Sequence, residues 1–95
     1  MSTYLIAEVT VKDAEQFKEY VSEVPKVLAN HGGKYLVRGT DITMLEGDWN
    51  PKRMVVIEFP TKKAAMEFYD GAEYAPWKKV RQKYSDSKNI IVEGV

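Results

Sequence analysis

The side chain with the clearest capacity for proton transfer is His31, the only histidine in the chain. The residues before it have helical spacing, so His31 is predicted to lie at the carboxyl end of a helix, where the helix dipole favours an imidazolium. There it could act as a general base towards a bound substrate. It could instead cap the last carbonyl groups of the helix. The sequence leaves both interpretations open.

Arg38 and Glu58 each interrupt a predicted strand that is otherwise apolar. The guanidinium of Arg38 offers two parallel N–H donors, which suit an anionic group such as a carboxylate. Glu58 is a candidate ligand-binding residue because it also lies among apolar neighbours. The two side chains could instead form a structural ion pair with each other. Arg38 is therefore predicted to reach solvent at an edge of the sheet, to hold an anionic ligand or to be neutralised by Glu58.

Tyr20 and Tyr74 are the best candidates among the aromatic residues for a ligand pocket. Most aromatic side chains at helical spacing are expected to pack in the core, but a buried phenol hydroxyl needs a hydrogen-bond partner. These two tyrosines are predicted to position a planar ligand. Trp49 differs, because it lies in a turn at residues 47–51. That position suits a lid or a surface that covers a second subunit, and the interface interpretation is favoured.

Arg81 interrupts the apolar stripe of the last predicted helix and is a further candidate for binding an anion. Lys78, Lys79 and Lys83 lie close to it in the sequence. A run of basic residues on a helix is most often a solvated face. The solvated face is therefore the favoured interpretation for Arg81, with a phosphate site as the alternative.

The composition disfavours several classes of site and partner. With one histidine and no cysteine, the chain lacks the ligands of a zinc site or a two-histidine iron site, and neither a metal nor another cofactor is expected. The serines lack a nucleophile-elbow pattern, and the glycine pair follows a helix, unlike a dinucleotide-binding loop. Fourteen basic residues balance fourteen acidic ones, which disfavours nucleic acid and membranes as partners. The charged, alternating amino-terminal residues resemble no signal peptide or membrane span, so a cytoplasmic location is expected.

The first half of the chain is predicted to form a strand, a helix and a broken strand. Residues 3–11 alternate with a period of two, and Asp13 is placed to cap a helix that runs to about Asn30. Pro25 within this helix is expected to kink or restart it. Residues 34–46 have the pattern of a long strand, with a bulge or bend at Gly39 to Asp41.

The second half is predicted to form a strand, a split helix and a final strand. Residues 53–59 are the most apolar strand, Pro60 ends it, and Thr61 is placed to cap the next helix. A second short helix carries Tyr74 to Tyr84. Residues 86–88 are expected to turn the chain into a last strand at residues 90–92.

These elements predict one α+β domain over residues 1–95 with the order βαββαβ. Right-handed crossovers place the helices on one face of an antiparallel sheet, which is the ferredoxin-like topology. Two strands carry apolar residues on both sides, so the other face of the sheet also needs cover. A second subunit would supply it, and a two-fold homodimer through facing sheets is therefore predicted.

Three stretches carry a family resemblance: residues 30–39 (NHGGKYLVRG), 45–49 (LEGDW) and 56–60 (VIEFP). Together with residues 13–20, 64–69, 73–74, 81 and 92–94, they resemble the domain-of-unknown-function family 1330. The resemblance implies the dimeric α/β-barrel superfamily, in which two sheets face one another. It implies no established activity, since relatives at that distance include small monooxygenases acting on quinol-like aromatics, haem-degrading enzymes and dimeric sensor domains.

Two functions of different classes fit these residues. The first is a cofactor-independent enzyme acting on a small planar or anionic metabolite, in which His31 moves a proton, Arg38 holds the anion, and Tyr20 and Tyr74 position the ring. The second is a non-catalytic dimeric binding or structural module, in which these polar residues satisfy one another. Convergence of the histidine, the arginine and a tyrosine on one open cavity would favour the enzyme.

Overall fold

The computed structural model describes residues 2–95 as a four-stranded antiparallel sheet with three helices. The strands lie in the order β2-β3-β1-β4, which together with the chain order is the predicted ferredoxin-like topology. The elements are β1 (Thr3–Val11), α1 (Ala14–Ala29), β2 (Lys34–Gly39), β3 (Met54–Phe59), α2 (Lys62–Asp70), α3 (Ala75–Tyr84) and β4 (Ser85–Glu93).

Alternate residues of the strands face the helices, and these residues form the core. In β1, every second residue from Thr3 to Val9 is buried and the residues between them are half-buried. Phe59 and Leu28 are the largest side chains that are almost completely buried. The hydrophobic core as a whole comprises Leu5, Ala7, Val9, Phe17, Val24, Val27, Leu28, Ile57, Phe59, Ala65, Phe68 and Tyr74.

The predicted helix boundaries are confirmed by their capping hydrogen bonds. The carboxylate of Asp13 accepts a hydrogen bond from the backbone N–H of Gln16 at 3.2 Å, and α1 begins at Ala14, directly after Asp13. Thr61 caps α2 in the same way, through the N–H of Ala64 at 3.1 Å. Pro25 lies inside α1, which continues through it to Ala29 without a restart.

Two strand predictions were wrong. β2 ends at Gly39, so residues 42–45 do not continue it, and the shift in register falls between Tyr35 and Val37 rather than at residues 39–41. β4 begins at Ser85 directly after α3, so residues 86–88 do not form a turn. The polar residues there remain in the sheet because every residue of β4 pairs with β1, and the other edge of β4 is free to face water.

The sheet face away from the helices, called the open face below, carries one apolar residue from each strand in a continuous row. Val37 is paired with Val56, Val56 with Ile6, and Ile6 with Ile90. Ile90 is 59% exposed and Val37 is 46% exposed. Within residues 2–95, no helix has the length and apolar character needed to cross a membrane.

Candidate functional site

A cleft lies between the helices and the sheet and opens beside β2. It is called the arginine cleft below and is mostly apolar. Its aliphatic and aromatic walls come from β1, β2 and β3, from α1 and α2, and from Tyr74 just before α3. The lining residues are Leu5, Ala7, Val9, Phe17, Tyr20, Val21, Val24, Tyr35, Arg38, Arg53, Val55, Ile57, Phe68, Tyr69, Tyr74, Arg81 and Asn89.

The charges that line the arginine cleft are all of one sign and one residue type. The chain has three arginines, Arg38, Arg53 and Arg81, and all three line this cleft. None of the eleven lysines and none of the fourteen acidic residues does so. A guanidinium is the cation best suited to planar, two-pronged contacts with an anion. In a chain with no net charge, this placement concentrates positive charge at a single apolar cavity.

The arginine cleft is small. About 650 Å³ of its space is free of atoms when its open mouth is included. A cavity of this size suits a small-molecule ligand.

Arg81 provides the charge at the buried end of the arginine cleft, where it is only 6% exposed. Its Nη1 donates to the hydroxyl of Tyr74 at 3.2 Å, and its Nη2 donates to the hydroxyl of Tyr69 at 3.3 Å. Its buried Nε has no hydrogen-bond partner among the described residues. No acidic side chain forms an ion pair with it within that part of the chain. A buried cation held only by neutral phenols is costly unless an anion joins it.

Burial of Arg81 lowers its pKa, but the hydrogen bonds and charges of Tyr69 and Tyr74 raise the pKa by more. The net shift is upward, so the guanidinium keeps its charge at physiological pH. The arginine cleft therefore presents a permanent positive charge at its buried end.

Tyr20 and Tyr74 meet beside Arg81 through their hydroxyl groups, which are 2.5 Å apart. Burial is the largest cause of the raised pKa of Tyr20, and the neighbouring Tyr74 raises that pKa further. Burial also raises the pKa of Tyr74, although Tyr20 and Arg81 oppose the shift. Both phenols therefore remain protonated at neutral pH. They can donate hydrogen bonds but cannot serve as bases.

The mouth of the cleft carries the exposed arginine. The guanidinium of Arg38 lies 4.7 Å from the ring centre of Tyr35, which is a cation–π contact. Arg38 is solvent-exposed. Burial raises the pKa of Tyr35, while the charge of Arg38 lowers it. Val21 of α1 lies on the opposite side and is 39% exposed. A ligand would thus meet Arg38 first and Arg81 last.

Four of the candidate residues predicted from the sequence converge on the arginine cleft: Tyr20, Arg38, Tyr74 and Arg81. His31 is not among the residues that line it. The His31 Nε2 lies 3.4 Å from a carboxylate oxygen of Glu73, and its ring contacts Phe68 edge to face. The structure therefore does not bring the histidine to the arginine and the tyrosines.

Glu58 and Trp49 lie on the other side of the sheet from the cleft. Glu58 accepts a hydrogen bond from the hydroxyl of Tyr4 at 3.4 Å. The predicted alternative of an ion pair between Arg38 and Glu58 is wrong, because Arg38 pairs with Val55 on the helix side while Glu58 belongs to the open face.

Trp49 folds back over the open face of its own chain. Its indole N–H donates to a carboxylate oxygen of Glu8 at 3.0 Å. Trp49 does not line the arginine cleft, and 52% of its surface is exposed. It therefore remains available to contact a second molecule.

The preferred interpretation of Arg81 as part of a solvated face was wrong. Its spacing of seven from Tyr74 places both side chains on one stripe of the helix that faces the core. The neighbouring lysines concealed this position, since charge runs normally mark a surface. Arg53 and Tyr35 were missed altogether, and Tyr69 was considered for a pocket but was expected to pack in the core with most of the aromatic side chains. The signal in the sequence was the small number of arginines beside many lysines, which indicates selection for the guanidinium itself.

No group of three or more histidine or acidic side chains lies close enough to hold a metal ion within residues 2–95. The donor set of the arginine cleft is composed of guanidinium and phenol groups. These groups are donors to anions rather than ligands for cations. The chemistry that the cleft can perform with its own residues is thus the binding and electrostatic stabilisation of an anion.

The family model described as a domain of unknown function, DUF1330, matches residues 2–95. No curated protein matches the chain significantly.

Solved structures of low sequence identity share the fold. A protein of unknown function from Rhodopseudomonas palustris has 22% identity and a TM-score of 0.80, over 99% of this chain and 82% of that one. SnoaB, a cofactor-independent oxygenase from Streptomyces nogalater, has 14% identity and a TM-score of 0.68, over 99% and 93%. A dimeric ferredoxin-like protein of unknown function from Thermobifida fusca has 16% identity and a TM-score of 0.69, over 99% and 92%. These similarities establish the fold and leave the function to be argued from the residues of the cleft.

Proposed function

The chain belongs to the DUF1330 family, and we propose that it binds a small planar anion in the arginine cleft. The observation that carries this proposal is the placement of all three arginines, and no acidic residue, around one apolar cavity. A structural role would pair each guanidinium with a carboxylate. A ligand-binding role explains why none is present, because the anion itself completes the pairing.

The planar character of the ligand is inferred from the walls. Tyr35 lines the cleft from the sheet and Tyr20 lines it from α1, so aromatic rings are contributed by both layers of the fold. Aromatic walls favour offset or edge contacts with a flat ring. Apolar walls also exclude water, which strengthens the attraction between the arginines and a bound anion.

This binding function is common to both hypotheses raised by the sequence. Among the solved relatives, SnoaB is a cofactor-independent oxygenase, so the fold is compatible with an enzyme that uses only its own residues. His31 has no part in the proposal, because its ring contacts Glu73 and Phe68 rather than the cleft. Binding and orientation of a planar anion is therefore the function that the geometry supports best.

Calorimetric titration with two probes of equal shape tests the proposal. The first probe is 2-naphthoate, a flat anion, and the second is 2-naphthamide, its neutral counterpart. We expect 2-naphthoate to bind at least tenfold more tightly, because each charge-assisted hydrogen bond contributes about 1.5–3 kcal/mol. Equal affinity for the two probes, or no binding of either, would contradict the proposal.

Arg38→Gln and Lys34→Gln form a matched pair of variants for this titration. Both remove one positive charge from β2, but Arg38 lies on the helix side and Lys34 pairs with Glu58 on the open face. Arg38→Gln is expected to weaken binding of 2-naphthoate about threefold to tenfold, as for an exposed charge. Lys34→Gln is expected to leave the affinity unchanged. Equal losses in both variants would indicate only a long-range effect of net charge.

We also propose that the protein works as a homodimer with the open faces of the two sheets in contact. The row of Val37, Val56, Ile6 and Ile90 supplies an apolar strip across all four strands, and two of its members are largely exposed. Exposed contiguous apolar surface commonly marks an interface. The structural relative from Thermobifida fusca is dimeric, which supports the same arrangement here.

Sedimentation velocity of Ile90→Glu tests the homodimer. A carboxylate in the apolar row would have to lose its water at the interface without a cation to pair with, so we expect a dimer for the wild type and a monomer for the variant. Gln82→Glu adds the same charge to an exposed position of α3 and is expected to remain dimeric. A monomeric wild type would refute the dimer.

A further inference from the structure

The buried end of the arginine cleft has many more hydrogen-bond donors than acceptors. It is formed by Tyr20, Tyr69, Tyr74 and Arg81, called the phenol–guanidinium cluster below. The guanidinium carries five N–H groups and the three phenols carry three O–H groups, while the phenol oxygens are the acceptors among these side chains. Two of the N–H groups donate to Tyr74 and Tyr69.

The pair of Tyr20 and Tyr74 also leaves a donor free. A guanidinium can only donate, so the oxygen of Tyr74 is the acceptor in its contact with Arg81. One hydroxyl hydrogen serves the contact between the two tyrosines, whichever of them donates it. The other hydroxyl hydrogen has no acceptor among residues 2–95. Tyr69 is in the same position, because its oxygen accepts from Arg81 and its hydrogen remains available.

The cluster is therefore suited to a partner that only accepts. Tyr74 and Arg81 are buried and Tyr20 and Tyr69 are half-buried; the cluster includes a permanent positive charge, and Nε of Arg81 is both buried and unpartnered within the described residues. Each terminal nitrogen of Arg81 donates one of its two N–H groups to a phenol, so three N–H groups of the guanidinium, including that of Nε, stay uncommitted in that part of the chain. The donors left over include hydroxyl groups, which can point to one oxygen atom.

We propose that the phenol–guanidinium cluster is an oxyanion-binding site for an ionised oxygen carried directly on a flat ring, as in a phenolate or an enolate. The oxyanion site rests on the proposed function, since the ring of the ligand lies in the arginine cleft. It specifies in addition where the negative charge of the ligand is bound and which chemical class of ligand carries it. The ring enters past Arg38, and its charged oxygen reaches the hydroxyls beside Arg81. Because burial keeps Tyr20 and Tyr74 protonated, they stabilise the anion and do not remove its proton.

A site that binds the ionised form of an acid more tightly than the neutral form lowers the pKa of the bound acid. The test uses 4-nitrophenol, whose phenolate absorbs visible light and whose phenol titrates near neutrality. The absorbance of the dye is titrated against pH with and without saturating protein. We expect the pKa of the bound dye to fall by about one unit or more, which corresponds to tenfold or greater preference for the phenolate.

Two variants locate the charge within the cleft. Tyr69→Phe keeps the ring and removes a free hydroxyl, and it is expected to reduce the tenfold preference to less than about threefold. Tyr20→Phe combined with Tyr74→Phe removes the other free hydroxyl and provides a second test of the same cluster if Tyr69→Phe does not fold, as judged by its thermal melt. Arg38→Gln removes an exposed charge at the mouth of the cleft and is expected to lower the pKa shift by less than the tyrosine variants do. A shift that is lost in Arg38→Gln and retained in both tyrosine variants would overturn the proposal.

A second probe separates this inference from the proposed function. If 4-nitrobenzoate binds tightly and 4-nitrophenol shows no lowering of its pKa, the cleft is an anion site for carboxylates, and the oxyanion proposal fails while the proposed function stands. If neither probe binds, both fail. Lowering of the 4-nitrophenol pKa that depends on Tyr20 or Tyr69 supports both.

Discussion

The two faces of the sheet are built from the same strands but differ in whether their charged side chains have partners of opposite sign. On the open face, four charged residues of the strands lie opposite a residue of the other sign. Glu8 pairs with Lys88, and Lys34 pairs with Glu58. On the helix-covered face, the arginines have no acidic counterpart among the residues that line the cleft. Because successive side chains of a strand point to opposite faces, neighbouring residues belong either to a surface with both signs of charge or to a cavity with positive charge alone.

The difference teaches where to look for function in a small domain of this topology. Charges on the open face can be explained by solubility and by pairing between strands. The buried charge of Arg81 has no such explanation, since its partners are the neutral phenols of Tyr69 and Tyr74. A buried guanidinium without a carboxylate partner among residues 2–95, at the end of an open cleft, is therefore the feature of this fold that a ligand-binding role explains.

Phe59→Ala and Ile90→Ala compare the contributions of the two faces to stability. Phe59 is completely buried on the helix-covered side, and its truncation is expected to lower the free energy of unfolding by about 3–5 kcal/mol. Ile90 is mostly exposed in a single chain, so Ile90→Ala should cost less than about 0.5 kcal/mol in a monomeric background such as Val56→Glu. Urea unfolding measures both. Comparable losses would show that the open face is also part of the core of the single subunit.

Arg81→Met sharpens the comparison of charges. Methionine has a similar volume and no charge, so the unliganded protein should unfold at a free energy within about 1 kcal/mol of the wild type, or higher. Affinity for 2-naphthoate should nevertheless fall about tenfold to hundredfold, because the buried charge and its donated hydrogen bonds are lost. Urea unfolding and calorimetric titration measure the two effects on the same sample.

The opposite result for Arg81→Met would place the arginine in a structural role. A loss of about 3–5 kcal/mol of stability, with unchanged affinity for 2-naphthoate, is the behaviour of a buried charge whose partners are already complete. Lys79→Met, at an exposed position of the same helix, is the control for loss of charge alone. It should change neither quantity by a measurable amount.

Alkaline pH should destabilise the helix-covered face through the tyrosines of the cleft. Burial raises the pKa of Tyr20, Tyr35 and Tyr74 in the folded protein, whereas unfolded phenols lose their protons near pH 10. The stabilisation is therefore complete below about pH 10. Above that pH the unfolded state binds fewer protons than the folded one, so stability falls by about 1.4 kcal/mol per pH unit for each tyrosine.

Urea unfolding at several pH values between 8 and 11 tests the alkaline prediction. Tyr20→Phe removes one of the three phenols, so its loss of stability above about pH 10 should be shallower than that of the wild type by about 1.4 kcal/mol per pH unit. A wild type whose stability is constant up to pH 11 would show that these phenols ionise as easily in the cleft as in the unfolded chain.

The fold was predictable because its signals are local and strong. The alternation in residues 3–11 and the caps at Asp13 and Thr61 correspond to the elements that form. The errors fell where local chemistry and tertiary pairing disagree. Residues 86–88 have turn composition, yet they lie in β4 because pairing with β1 outweighs their weak preference for a turn.

About half of the site was predictable, for a physical reason that concerns burial. Polar groups that need a partner interrupt the apolar patterns at Tyr20, Arg38 and Tyr74. This signal can be read from the sequence alone. Whether an arginine such as Arg81 faces the core or water depends on the rotation of its helix against the sheet. The sequence around it contains three lysines and suggested the wrong side.

Trp49→Phe produces the smallest expected effect and examines the border of the open face. The substitution removes the hydrogen bond from the indole to Glu8, which lies at an exposed position and should contribute about 0.5 kcal/mol within one subunit. In the monomeric Ile90→Glu background, unfolding by urea should show only this loss. In the dimeric wild type we expect a larger loss, because the exposed half of the indole ring would be covered by the partner subunit. Equal losses of stability in both backgrounds would show that Trp49 contacts only its own chain. The interface would then consist of the apolar row of the open face without Trp49.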